Sequence, residues 1–343
     1  MHKNRLNWID ATKGFAMLLV IWGHVQETSP LYLYVTSFHV PLFLVVSGML
    51  FAINGRVGGG KSLFFKLIKP YLTFSIIAIV AYLIRDYLTG GNYLDNLLLN
   101  CYKTITGYGI HALWFIPSYF IACTVYKYVF SKSKWVNILW MMAFVLVGIG
   151  GSELIHYLES SSRLSDYFYY PFVGFVRGLT CTFYIFVGSI LWHILTALKR
   201  FRKDKLAMIL IMLLCLVGSY FSSQNLSDAN FSLLRLGSHS VMNYVSGLLG
   251  AVGVAMLFYM LKMIRLRSLE YIGRNSLTIM GTHMSMLFTI IATAIMIRVW
   301  PIETQPGFTY YLWGLGCVAI VMLLEIPTIW IFNNKLKFLI SRI

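Results

Sequence analysis

The sequence predicts an all-α, polytopic membrane protein with about ten transmembrane helices and both termini in the cytoplasm. Its 343 residues are 58% hydrophobic and only 12% charged, whereas a soluble domain carries about 25% charged residues. Apolar stretches recur along the whole chain at roughly the 20-residue length that crosses a bilayer as a helix. Lysine and arginine gather in alternate connections between these stretches, and this pattern orients a membrane protein.

Ten apolar stretches are predicted to cross the membrane, and the first is not a removable signal peptide. Asp10, Lys13 and His24 interrupt its apolar run, and no small-residue cleavage site follows. The connections are too short for a separate domain, so we expect one integral-membrane domain over 1–343 with no appended soluble domain. The predicted spans are 8–27, 38–54, 68–88, 112–130, 135–151, 170–195, 206–222, 240–263, 276–298 and 309–332, and the longer outer connections, expected to cap an outward-facing site, are 89–111, 152–169 and 223–239.

The basic residues give these spans a direction. Of the 28 lysines and arginines, 21 fall on the side of the two termini, five on the opposite side and two within spans. Because cytoplasmic loops are rich in lysine and arginine, this asymmetry places both termini in the cytoplasm. The net charge of +16 therefore reflects topology, and it requires no nucleic-acid partner. The five scattered cysteines form no CxxC pair and predict neither a disulfide framework nor a metal site.

The first span carries the most informative polar residues. Lys13 and His24 are eleven residues apart, which places them on one face of a helix about 16 Å apart, with Asp10 one turn before Lys13. Titratable residues at membrane depth are costly and usually face a functional interior. The same spacing also fits an interfacial Asp10–Lys13 pair, with Lys13 reaching the headgroups and His24 bonded to a neighbouring helix. The spacing alone leaves both interpretations open.

Two more histidines are candidates for the same interior. His39 opens the predicted second span after a short loop, so we expect it to approach His24. His283 lies about ten residues into the predicted ninth span, where a catalytic role and a polar contact between helices are equally compatible with the sequence. Histidine is suited to act as a general base on a hydroxyl. For Arg177 and Glu325 the default prediction is structural ion pairing within the bundle.

The second cytoplasmic loop contains a misleading motif. Residues 55–62 match the phosphate-binding pattern G-x-x-x-x-G-K-[ST], but that motif works between a strand and a helix of an α/β domain, and here apolar spans flank it. A glycine-rich loop followed by Lys61, Lys66 and Lys69 is still suited to hold the phosphates of a coenzyme A thioester. Positive-inside bias alone also places lysines in this loop.

At these residues the sequence resembles the acyltransferase 3 family of bacterial membrane enzymes, and within it the branch with fucose 4-O-acetylase-like and exopolysaccharide-modifying members. The resemblance spans nearly the whole chain. It rests on Asp10, Lys13 and His24 in the first span; on His39, Pro41, Ser47 and Gly48 in the second; on Lys66, Lys69 and Pro70; on Trp114 and Phe115; and on Asn275, Ser276 and His283.

The resemblance implies a membrane O-acyltransferase, with acetyl the expected acyl group, in the bacterial cytoplasmic membrane. Acyl-CoA would be the donor substrate, with no bound cofactor, and the acceptor a hydroxyl of a cell-surface or lipid-linked saccharide. It implies that His24 is the general base or a transient acyl carrier, and that Lys13 and Asp10 orient the site. The implied donor-binding residues are Lys61, Lys66 and Lys69, and the implied secondary site residues are His39, His283, Asn275, Ser276 and Trp114.

Two other functions remain open from the sequence. A saccharide or lipid transporter would line a permeation path with the same polar residues, although the chain contains no internal repeat of the kind common in transporters. A purely structural membrane subunit is disfavoured, because three ionisable residues aligned on one buried face would be a needless cost. The acceptor sugar and the oligomeric state cannot be read from the sequence.

Overall fold

The computed structural model describes residues 6–26, 29–55, 59–161, 163–198, 205–301 and 307–340. Within these ranges the regular structure is helical, and the only β-type pairing is an isolated bridge between Asn230 and Arg235. The α-helices are α1 Asn7–Gly23, α2 Pro30–Asn54, α3 Gly60–Leu63, α4 Lys69–Leu88, α5 Tyr93–Ile105, α6 Phe115–Val129, α7 Lys134–Ser160, α8 Asp166–Leu198, α9 Lys205–Ser223, α10 Ser240–Met260, α11 Arg267–Arg274, α12 Ser276–Thr282, α13 Phe288–Val299, α14 Phe308–Asn334 and α15 Lys337–Ile340. A π-helical segment, Phe64–Ile68, joins α3 to α4, and 3₁₀ turns cover His111–Trp114, Phe231–Leu233 and Leu261–Met263.

The predicted all-α, polytopic membrane fold is confirmed. Seven helical stretches of the described residues are long and apolar enough to cross a bilayer. The other three predicted spans correspond to shorter pieces: α1 has 17 residues, α6 has 15, and the ninth span is divided between α12 and α13. The count of ten and the cytoplasmic termini stay predictions.

The second span begins earlier than predicted. Helix α2 starts at Pro30, where proline favours the first turn because its missing N–H would be unpaired there in any case. The sequence had indicated that His39 opens this helix, but His39 lies inside it. Helix α7 likewise continues to Ser160, which shortens the predicted outer connection 152–169. In both places the prediction ended the helix at polar residues near the membrane edge, although the helix continues past the apolar run.

The ninth span is not a continuous helix. Helix α12 ends at Thr282, His283 begins a non-helical turn, and α13 starts only at Phe288. Leu287, just before α13, has a left-handed backbone with φ of 59°. Irregular backbone at membrane depth is tolerated where it is buried in protein or lines a cavity. We call residues 283–287 the helix break.

Glycines let two pairs of helices approach until their backbones touch. A Cβ atom at Gly48 of α2 would lie 1.9 Å from the carbonyl oxygen of Ile185 in α8. A Cβ atom at Gly273 of α11 would lie 1.8 Å from the carbonyl oxygen of Asp10 in α1. Small residues of this kind are how helices pack closely in membranes, where packing replaces the hydrophobic drive. These contacts fix α2 against α8 and α1 against α11.

The outer connection 89–111 contains a helix that turns its apolar side outward. Leu94, Leu98 and Ile105 of α5 are 58%, 69% and 84% exposed, and their spacing puts them on one face. The polar side faces the bundle, where the Asn96 amide donates to the Asp86 carboxylate over 2.9 Å. An apolar face directed outward is stable in contact with lipid, so we expect α5 to lie at the membrane interface.

A small substitution should reveal the α2–α8 contact. We expect Gly48→Ala to lower stability by about 1–3 kcal/mol or more, because the added methyl group meets a backbone carbonyl that cannot move aside. Gly150→Ala in α7 is the control, since nothing lies within 4 Å of a Cβ atom there. Thermal stability in detergent, followed by size-exclusion chromatography, makes the comparison. Equal stability of the two variants would contradict the close contact.

Candidate active site

A cavity of about 280 Å³ lies at the end of α1 opposite Asp10. Its walls come from the end of α1, the first half of α2, the 3₁₀ turn before α6, the loop between α9 and α10, and α12. Trp114 and Phe231, with ring centroids 5.9 Å apart, give it an aromatic wall. His111 and Asn230, both exposed, border the part that we call its mouth.

Three histidines from separate segments line this cavity, and a fourth lies beside one of them. His24 follows the last residue of α1, His39 lies in α2, and both line the cavity together with His111. The ring of His283, at the helix break, lies with its centroid 5.5 Å from that of His24. The expected approach of His24 and His39 is therefore found, and the sequence had placed His283 within reach of the same interior.

Backbone carbonyls set the tautomers of two of these rings. Nδ1 of His39 lies 2.9 Å from the Val35 carbonyl oxygen, and Nδ1 of His283 lies 2.7 Å from that of Ile279. A carbonyl oxygen only accepts, so each Nδ1 carries a proton and donates it. In the neutral ring each Nε2 then holds a lone pair. Nε2 of His283 is buried and has no hydrogen-bond partner among the described residues.

Sequence reasoning missed His111. It lies in an irregular connection, where helical periodicity cannot mark a residue as facing the interior. Its backbone is left-handed, with φ of 45°, and its ring stacks on Tyr82 with centroids 4.7 Å apart. One sequence signal could have identified His111: it lies three residues before Trp114, which the sequence did predict as a site residue.

Arg177 ties together the loops that form one wall of the cavity. Its guanidinium donates to the hydroxyl of Ser118 over 2.9 Å, to the carbonyl of Tyr108 over 2.7 Å and to the carbonyl of Ser232, and it lies 4.6 Å from the ring centroid of Trp114. The predicted ion pair was wrong, because no described carboxylate contacts this side chain. Neutral acceptors and an aromatic face compensate its buried charge.

Glu325 also lacks the ion pair that the sequence predicted, since the described residues place no cation against it. The Thr282 hydroxyl lies 2.8 Å and 2.9 Å from its two carboxyl oxygens and 2.8 Å from the Thr278 carbonyl oxygen. A hydroxyl has one proton to donate. All three groups are satisfied when a neutral Glu325 carboxyl donates to Thr282 and Thr282 donates to Thr278. This chain of bonds ends beside His283.

The opposite end of α1 holds a separate charged cluster. The Asp10 carboxylate lies 3.5 Å from the Arg274 guanidinium, which also lies 3.1 Å from Glu270. The hydrogen bond from Arg265 is the main cause that holds the pKa of Glu270 below its ordinary value. Asn275, which accepts from Asn333 over 2.8 Å, begins α12 at this end. Asn275 and Ser276, which the sequence grouped with His283 as secondary site residues, therefore lie at the start of α12 and away from the cavity.

The predicted donor-binding lysines follow the glycine-rich loop. Lys61 and Lys66 are exposed and Lys69 is half-buried. Lys66 lies in the π-helical segment before α4, and short π-helical turns are frequent at functional sites. Helix α2 runs to Asn54 before this loop, so a helix and not a strand precedes the motif at 55–62. Positions 56–58 of that motif lie outside the described residues.

A comparison with known protein families identifies the family of this chain. A model of the acyltransferase domain matches residues 6–329. The chain belongs to the acyltransferase 3 family. No curated protein and no solved structure matches it. The resemblance read from the sequence is confirmed at the level of the family, and assignment to the fucose 4-O-acetylase-like branch stays a prediction.

Membership makes this chain a multi-pass membrane acyltransferase. The acyltransferase match includes every predicted site residue, from Asp10 to His283. The structure places His24, His39 and Trp114 at the cavity, with His283 beside His24, and places Asp10, Asn275 and Ser276 at the opposite end of α1. In the part of the chain that the structure describes, no three His, Cys, Asp or Glu side chains lie close enough to hold a metal ion.

The acyltransferase should depend on Arg177 for the shape of its cavity. We expect Arg177→Lys to lower stability by about 2–4 kcal/mol, because one ammonium cannot bond three separated acceptors. Ser118→Ala, which removes a single partner, should cost about 1–2 kcal/mol. Thermal stability gives the order of the two variants, and hydrogen exchange should rise around Tyr108 and Ser232 only in Arg177→Lys. Unchanged exchange there would contradict the role of Arg177.

A second pair of variants tests the bonds at Glu325. We expect Glu325→Gln to keep stability within about 1 kcal/mol, because the new amide also donates to Thr282. Thr282→Val leaves the carboxyl unpaired and should cost about 1–3 kcal/mol. Both are measured by thermal unfolding in the same detergent. A loss in Glu325→Gln as large as that in Thr282→Val would indicate a charged carboxylate instead.

Proposed function

We propose that this acyltransferase moves an acyl group, expected to be acetyl, from acyl-CoA to a hydroxyl of a cell-surface or lipid-linked saccharide. The observation that carries the proposal is that His24 and His39 line one cavity from separate segments, with the ring of His283 beside that of His24. Such a cluster suits proton transfer to and from a reacting hydroxyl. We place the protein in the bacterial cytoplasmic membrane, with the charge asymmetry putting the cavity on the outer side.

The donor would be held at the other end of α1. Lys61, Lys66 and Lys69 begin the segment that enters the membrane as α4, and the positive-inside pattern assigns this end to the cytoplasm. Ammonium groups there complement the phosphates of coenzyme A. Lys13 and Asp10 belong to the same end, so their proposed role is to orient the donor and not to contact the acceptor.

Two routes through His24 account for the chemistry. As a general base, His24 takes the proton of the acceptor hydroxyl while the hydroxyl oxygen attacks the thioester carbonyl. The C–S bond then breaks, and His24 passes the proton to the thiolate of coenzyme A. As an acyl carrier, an imidazole nitrogen of His24 attacks the carbonyl and expels the thiolate. The hydroxyl then attacks the acyl-imidazole, and its proton passes to a second base. His39 suits that second role, since its Nε2 keeps a lone pair at the cavity.

Transport of a saccharide or lipid is the rival function, and one feature favours it. Helices broken at membrane depth, as between α12 and α13, are common where transporters bind substrate. The two functions differ in their need for acyl-CoA. A transporter moves substrate in vesicles without it, whereas the proposed enzyme adds acyl mass to a glycan.

Replacing His24 tests the proposal. We expect His24→Ala to reduce the release of coenzyme A from acetyl-CoA by about 10² or more, because a positioned base or nucleophile contributes at least that much. His156→Ala is the control, since His156 is an exposed residue of α7 away from the cavity. Retained thermal stability must accompany the loss. Normal turnover by folded His24→Ala protein would refute the role of His24.

Intact-protein mass spectrometry separates the two routes. Wild-type protein mixed with acetyl-CoA and no acceptor should gain one acetyl group that is lost on adding glycan if His24 is a carrier. It should gain none if His24 acts as a base.

A further inference from the structure

The proposed chemistry gives roles to His24 and His39, and it leaves His111, the third histidine that lines the cavity, without a role. His111 lines the cavity with His24 and His39, yet it is exposed at the mouth. It contacts Tyr82 through its ring face. Stacking of this kind leaves both ring nitrogens, which point along the ring edge, available to a bound molecule.

The backbone around His111 is bent into an unusual shape that aims this ring at the cavity. His111 is left-handed, with φ of 45°, and two glycines shortly before it, Gly107 and Gly109, have φ of 70° and 83°. A Cβ atom at Gly109 would lie 2.5 Å from the backbone nitrogen of Trp114, so the turn is tight. A side chain in a left-handed conformation persists only where its surroundings hold it, and such positions cluster at functional sites.

Tyr82 supplies those surroundings and links His111 to the helix break. The Tyr82 hydroxyl donates to the Met284 carbonyl over 3.2 Å, one residue after His283. The guanidinium of Arg85 lies 4.6 Å from the centroid of the same tyrosine ring. His111 is therefore fixed relative to the turn that holds the buried histidine, although it lies at the mouth.

The surroundings of His111 favour a neutral ring. Partial burial, which desolvates the charged form of the ring, and then the positive charges of Lys103 and Arg85, lower the pKa of His111. A neutral imidazole offers one donor and one acceptor, and a hydroxyl group can use both, whereas a carboxylate uses only the donor and an ammonium only the acceptor. Asn230 and Ser232 add amide and hydroxyl groups to the same cavity, beside the aromatic ring of Phe231.

We propose that His111 is the acceptor-binding residue of this site, and that it bonds the hydroxyls of an uncharged saccharide ring seated at the mouth. The apolar face of the saccharide ring would lie along Trp114 and Phe231, and the reacting hydroxyl of the saccharide would point inward to His24. This inference rests on the proposed acyl transfer and names the part of the site that selects the acceptor. His111 binds the acceptor and takes no part in activating the donor.

The test uses the full-length protein in lipid nanodiscs with acetyl-CoA as donor. The acceptor probe is neutral envelope glycan stripped of its ester groups by mild alkali. His111→Phe keeps a ring to stack on Tyr82 and removes both nitrogens. We expect the KM for glycan to rise about fivefold or more, as for loss of one or two hydrogen bonds, with kcat within about twofold. The KM for acetyl-CoA should stay unchanged.

His156→Phe is the matched control, because it makes the same replacement away from the cavity. A second variant, His111→Asn, keeps the test valid if His111→Phe misfolds. Asparagine tolerates the left-handed backbone and is too short to reach the acceptor. It should raise the KM for glycan as His111→Phe does. An unchanged glycan KM in either folded variant overturns the inference, and so does a rise in the KM for acetyl-CoA as large as the rise in the KM for glycan.

Failure of the underlying function gives a different result. Wild-type protein that neither releases coenzyme A nor acylates the glycan contradicts the proposed function itself. Glycan binding measured without acetyl-CoA, through tryptophan fluorescence, then still decides the role of His111. Weaker binding in both variants upholds it, and equal binding overturns it.

Discussion

The absence of water from the bilayer interior is the constraint on which this structure depends. A polar group there must be bonded within the protein or retained for function. Arg177 meets the first condition with neutral acceptors, and Glu325 meets it through Thr282. Nε2 of His283 does not meet the first condition through any described residue, and its ring lies beside that of His24. An unsatisfied nitrogen on a ring beside a cavity-lining histidine is where bound substrate or catalysis would offset the cost of burial.

The same constraint explains why the site is built from interrupted helices. A continuous ninth span would bond all of its own backbone and present side chains at fixed helical intervals. The helix break instead places His283 against His24 and lets the Met284 carbonyl accept from Tyr82. The backbone contact at Gly273 holds the other end of α1 in place. His24 at one end and Asp10 at the other are thus fixed by separate contacts along one helix.

The sequence was most informative where length and hydropathy decide the structure. Apolar runs such as 206–222 are predicted almost to the residue, because only a helix satisfies its backbone in lipid. The break at His283 was not predicted, since its turn is as apolar as a helix and tertiary contacts with Tyr82 hold it. Helix α5 was read as a loop because its polar side faces the protein. His24 and His39 were found through their positions in the apolar spans and through the family resemblance, whereas His111 depends on a backbone conformation that no residue pattern predicts.

The central claim is acyl transfer through the histidine cavity, from a donor at one membrane face to a glycan at the other. Proteoliposomes with oriented protein, isotopically labelled acetyl-CoA supplied only at the lysine-rich face and alkali-treated glycan only at the opposite face, test it most directly. The predicted result is labelled acetyl ester on the glycan in wild-type vesicles and none in vesicles carrying His24→Ala. Glycan that crosses the membrane without gaining acetyl mass would contradict the claim and establish transport instead.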